Sequence, residues 1–93
     1  MKKYIWETPE EINLIVAANV RRVRKRRGIS QQKLSELTGV SYGSIKRFEM
    51  TGNISLLSLT KIAVQLDAVD DIKSLFSSVP YLSIEEVINE QKW

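Results

Sequence analysis

Cysteine and histidine are both missing from the 93 residues. Without thiols there is no disulfide, no thiolate nucleophile and no cysteine-built zinc site; without imidazole, acid–base chemistry near neutral pH loses its commonest carrier. Proline occurs twice and glycine four times, so breaks in regular structure are few and each marks a place. No apolar run reaches the roughly 20 residues that a bilayer span requires, and the amino end lacks a signal-peptide core. These absences predict one small cytoplasmic domain with no membrane segment, metal or cofactor. What is present agrees: 43% of the residues are apolar, enough for a modest helical core.

Charge is unevenly placed. The net +3 divides into a basic half, residues 1–52 with 11 Lys or Arg against 5 Asp or Glu, and an acidic half, residues 53–93 with 3 against 6. Six of the seven positions from Arg21 to Arg27 are basic. Such a run attracts polyanions by counterion release whatever their sequence. Cations at a helix carboxyl end also oppose the macrodipole, so not every one of the six faces a ligand.

Periodicity predicts five helices and a tail. Thr8-Pro9-Glu10-Glu11 starts the first, with Thr8 as cap, Pro9 in the first turn and Glu11 completing a capping box. Ile12, Ile15, Val16, Val20 and Val23 recur at helical spacing until Gly28 ends the run. A fourth helix after the loop Thr51-Gly52-Asn53 is expected to bury Leu56, Leu59, Ile62, Ala63 and Leu66. Asp70 caps a short fifth helix presenting Ile72, Leu75 and Phe76, and Ser77-Ser78-Val79-Pro80 closes the domain. The expected division is an arm over 1–8, a domain over 9–78 and a tail over 79–93. In that tail Ser83-Ile84-Glu85-Glu86 is another capping box.

Between the first and fourth helices lies the most informative stretch, residues 30–49. Ser30 caps a helix whose Leu34 and Leu37 share one face, Gly39 supplies a tight turn, and Ser41 caps a second helix. Ile45 and Phe48, three apart, turn inward against Leu34 and Leu37, which pushes Tyr42, Ser44, Lys46 and Arg47 outward. Two short helices with a polar, basic outward face on the second suit the major groove of DNA.

This stretch resembles the Cro and lambda-repressor type of helix-turn-helix, the XRE family. The likeness extends upstream through Val20-Arg21-Arg22-Val23-Arg24-Lys25-Arg26-Arg27-Gly28-Ile29-Ser30-Gln31 and downstream through Ser55-Leu56-Leu57-Ser58-Leu59-Thr60-Lys61-Ile62-Ala63-Val64-Gln65-Leu66, covering roughly residues 9–76. It implies an all-α, five-helix lambda-repressor-like DNA-binding domain with a short C-terminal tail. It also implies that Arg24 and Glu49 form a partly buried ion pair tying the first helix to the recognition helix. Three places depart from the pattern. Ser35 stands where Ala is usual, Glu49-Met50-Thr51-Gly52 is about one residue longer than the common link, and Gly43 leaves the recognition face bare of a side chain.

The resemblance implies sequence-specific binding of double-stranded DNA by a transcriptional regulator, a repressor acting as a homodimer on an inverted repeat, and no enzymatic activity. Ser30 beside Lys33 makes a nucleophile–base dyad only on paper, because helix starts carry serine for capping alone. Tyr42, Gly43, Ser44 and Arg47 are the expected base-reading positions, with Arg47 foremost because its fork donates twice to guanine O6 and N7. Ser30, Gln31, Lys46 and Asn53 are expected at phosphates, Gln31 aided by the helix amino end. Leu75, Phe76, Tyr81, Ile84, Val87 and Ile88 are expected to contact a second copy or a partner. The stretches Phe48–Leu56, Leu75-Phe76 and Tyr81–Val87 also resemble small HipB-like antitoxins, which bind both their operator and a HipA-like kinase toxin.

Overall fold

The computed structural model describes residues 6–78 and 88–89. Among them the chain is all-α, with five helices in the order α1 (Pro9–Arg26), α2 (Gln31–Thr38), α3 (Tyr42–Thr51), α4 (Leu56–Gln65) and α5 (Val69–Lys73), and it has the lambda-repressor-like architecture. None of these helices is long and apolar enough to cross a membrane. Most of the tail, Tyr81, Ile84 and Val87 included, lies outside the described residues.

Each of the first four helices begins on a hydroxyl. Thr8 accepts from the Glu11 amide at 3.1 Å while the Glu11 carboxylate accepts from the Thr8 amide, closing the capping box. Ser30, Ser41 and Ser55 accept from the amides of Lys33, Ser44 and Ser58. These bonds satisfy first-turn donors that the helix itself cannot pair. The ends of α2 and α3 share a second device. Thr38 and Thr51 each donate a hydroxyl to the carbonyl four residues back and accept from the amide two residues on, across Gly39 and Gly52 in the left-handed conformation. Both stops are thereby fixed by side chain and backbone together.

Leu34, Val40, Ile45, Ile62 and Leu66 form the core cluster, with Val20, Ile29 and Ile54 packed on its edge. It lies among α2, α3 and α4, so the two helices of the motif are held by side chains buried beneath them. Phe48 is also fully buried.

Three expectations are corrected, at Leu37, Leu56 and Asp70, and the apolar stripe of α1 is largely exposed. Leu37 is 44% exposed rather than facing the core, since the tight turn at Gly39 carries α3 across Leu34 and leaves the last turn of α2 uncovered. On α1, Ile12, Ile15, Val16 and Val23 are exposed and Ala17 and Arg24 are the buried residues. The reason is a close approach. A Cβ on Gly52 would stand 2.8 Å from the backbone carbon and Cβ of Asn13, so the face of α1 that meets α3 is its small and polar one. Leu56 is exposed at the first turn of α4, beyond the core. Finally, Ala68 occupies the cap of α5 without a side-chain bond, and Asp70 sits inside that helix, its charge in the first turn opposing the dipole.

Candidate nucleic-acid interface

Glu49, on the last turns of α3, organises the region between α1, α2 and α3. Its Oε2 accepts from Arg24 Nε at 2.7 Å and its Oε1 from Arg24 Nη2 at 2.9 Å, a bidentate pair, while Gln31 Nε2 donates to Oε1 at 3.0 Å. The remaining arm of Arg24 reaches the Ile29 carbonyl at 2.7 Å. Arg21, one turn earlier on the same face of α1, stands 3.7 Å from the same carboxylate. The two side chains of the central pair are 8% and 3% exposed. Burial by itself pushes the Glu49 carboxyl up, but hydrogen bonds from Arg24 and Gln31 and the charges of Arg24 and Arg21 outweigh it, leaving the group below its ordinary range. No buried side-chain nitrogen or oxygen among the described residues lacks a partner. One carboxylate therefore ties together the basic helix, the start of α2 and the end of α3.

That anchoring sets what faces outward. Tyr42, Gly43, Lys46 and Arg47 are exposed on α3 and Ser44 is half-buried, its hydroxyl accepting from Ser41 at 2.8 Å. The Lys46 ammonium lies 5.9 Å from the centre of the Tyr42 ring, a cation–π distance, so the ring and the charge share one patch. Gly43 has nothing within 4 Å of where its Cβ would be. A shallow polar hollow beside Tyr42 is lined by Arg21, Arg24, Ser30, Gln31 and Gln32, bringing together the first turn of α2 and the basic helix.

Among the residues expected at phosphates, Ser30 has its oxygen engaged as the cap of α2 but keeps its hydroxyl proton to donate. Gln31 already spends one amide hydrogen on Glu49, which leaves its second for a ligand. Lys46 is exposed, and Asn53 is exposed directly beyond the left-handed Gly52. Two residues lining the hollow were not singled out from the sequence: Arg21, which entered only as part of the basic run, and Gln32. Arg21 was legible in principle, because it sits three residues before Arg24 and shares its face. Gln32 carried no signal beyond its neighbour.

The remaining expected contacts, Leu75, Phe76 and Ile88, are exposed, and Leu75 lines a separate apolar cavity. A model of the helix-turn-helix family matches residues 20–70. No curated protein and no solved structure matches the chain.

Proposed function

Because the chain belongs to the XRE-type helix-turn-helix family, whose domains bind double-stranded DNA and regulate transcription, we propose that it is a repressor reading an inverted repeat as a homodimer. The observation that carries the reading is the outward face of α3. Tyr42, Lys46 and Arg47 project from a helix whose far end is locked to α1 through Glu49. In this reading α3 lies in the major groove, Arg47 donates to a guanine, and Tyr42 and Ser44 meet neighbouring bases or the sugar–phosphate edge. Gly43 lets the helix approach the base edges without a side chain between. Lys46, Ser30, Asn53 and the free amide hydrogen of Gln31 hold phosphates, with Arg21 adding a cation at the hollow.

Selecting bound sequences from a random duplex pool at fixed salt, then repeating with Arg47→Ala, tests it. The variant loses about 1 to 3 kcal/mol on the selected site and relaxes preference at one base pair. An equal loss on selected and random DNA would remove Arg47 from base reading.

Scale and surface both favour a dimer. One such domain covers half a site, and half-sites of this class lie about 34 Å apart on one side of the duplex. Leu75 and Phe76 at the end of α5 offer apolar area for the second copy. The same exposed groups support a second reading, an antitoxin that also grips a HipA-like kinase toxin. Co-purification with such a kinase, lost on changing Phe76, separates that role from plain repression.

A further inference from the structure

We infer that Phe76 is a knob that seats in the groove between α1, α4 and α5 of a second copy, and that the exchange is reciprocal. The inference rests on the dimer reading above and says where that dimer is held.

Among the described residues the groove is an open seam. α1 packs on α3, and α5 packs on α4, but no Cα of α1 comes within 8 Å of one in α4 or α5. Between them runs an apolar cavity of about 270 Å³ walled by Val16 and Val23 from α1, Leu59 and Ala63 from α4, and Ile72 and Leu75 at the α5 end. Val16 is 40% exposed and Leu75 52% exposed, so the walls are wet. A phenyl ring is a suitable filler for such a space, and burying it removes on the order of 150 to 250 Å² of aromatic surface from water.

Phe76 follows directly on the groove edge at Leu75 and does not line the seam. The residue before it lines the groove, while the Phe76 ring is 95% exposed. Its backbone φ is +57°, a left-handed conformation that a residue with a Cβ adopts at a cost. The chain therefore turns, with strain, in a way that sends the ring away from its own groove. An exposed aromatic held on a strained turn contributes nothing to the lone chain, whereas one occupying a second copy's groove recovers the burial it forgoes here.

Self-complementarity selects that occupant. A two-fold contact requires one surface to carry both the projecting group and its receptor, so that residue i meets j while j meets i. Phe76 and the groove edge at Leu75 are adjacent in sequence, so an axis passing near Leu75 brings both knobs to both grooves at once. Two rings and the groove lips amount to less than the roughly 1,200 Å² of a stable standard interface. The dimer is accordingly weak in free solution and strengthened when one duplex holds both copies.

Self-association is measured by sedimentation of the full chain, free and on a selected inverted repeat. Phe76→Ala and Val16→Glu, one at the knob and one at an exposed wall, each weaken it by about ten-fold or more, and the double variant is little worse than either alone. In the cysteine-free chain, mixing a Ser77→Cys protein with a Val16→Cys protein gives the mixed disulfide ahead of the two symmetric ones. An unaltered dimer in both single variants, or symmetric disulfides only, overturns the seat while leaving a dimer in place. A wild-type chain that stays monomeric free and on the repeat overturns the dimer reading and the seat with it. Near-ultraviolet spectra and melting curves confirm that Val16→Glu is folded; should it unfold, Phe76→Ala decides the matter by itself.

Discussion

Where α1 meets α3, Arg24 and Glu49 use both of their hydrogen-bonding edges and a glycine lets the backbones approach to contact; where the same helix faces α4 and α5, valines line a seam that no described residue fills. The first flank is polar, bonded and closed, the second apolar and open. Polar groups must be satisfied within the chain because an unpaired buried charge costs several kcal/mol, whereas an apolar wall left wet costs far less and keeps its burial energy for later use. One flank fixes the relation of α3 to the basic helix, and the other leaves apolar surface exposed.

The sharpest way to break this contrast is Arg24→Ala, which leaves Glu49 buried without its partner. Urea unfolding is expected to show a loss of about 3 to 5 kcal/mol. A loss under about 1 kcal/mol would mean the closed flank is no more constrained than the open one. Next comes Gly52→Ala. It meets both the left-handed penalty and α1 backbone at 2.8 Å, and about 2 to 3 kcal/mol is expected, against about 1 for Gly39→Ala, where φ is +77° but the space is open. Equal costs would show that α1 simply shifts aside.

Acid titration sharpens the electrostatic half. The Glu49 carboxyl binds its proton at lower pH in the folded chain than at the ordinary value of about 4.3 expected when unfolded. On acidification the unfolded form takes up the proton first. The pair's contribution is therefore complete above that ordinary value and disappears as pH falls through the folded one. Glu49→Gln should lack this part of the slope, and superimposable stability–pH curves for the two proteins would exclude it. The smallest effect is expected on the open flank. Phe76→Gly relieves the positive φ and removes a ring that touches little, so the stability of the lone chain changes by less than about 1 kcal/mol. A larger loss by thermal melting would mean the ring already packs within its own chain.

Much of this frame was readable from residue types. Thr8 with Glu11, Ser30, Ser41, Gly39 and the Leu34–Ile45 pairing are local rules, each decided within a few positions, and the helices fall where those rules put them. The outward face of α3 followed from Ile45 and Phe48 turning inward. What escaped depends on approach between distant segments. Val16 and Val23 have helical spacing whether or not another element covers them, so periodicity marked an apolar stripe without saying that it stays exposed. Gly52 looked like an ordinary loop glycine because its reason lies at Asn13, far back in the chain. Asp70 was a good cap by composition, yet the turn from α4 delivered Ala68 to that position instead, with Asp67 taking the left-handed conformation just before it.

Gly43 leads somewhere else. It lies on the exposed surface of α3 with ordinary helical dihedrals and empty space where a side chain would grow, so a residue installed there disturbs none of the bonds that hold α3 to α1. Replacing it also gains up to about 1 kcal/mol of helix propensity. If α3 reads base edges as proposed above, position 43 is where a new side chain could be added to that reading without disturbing the fold.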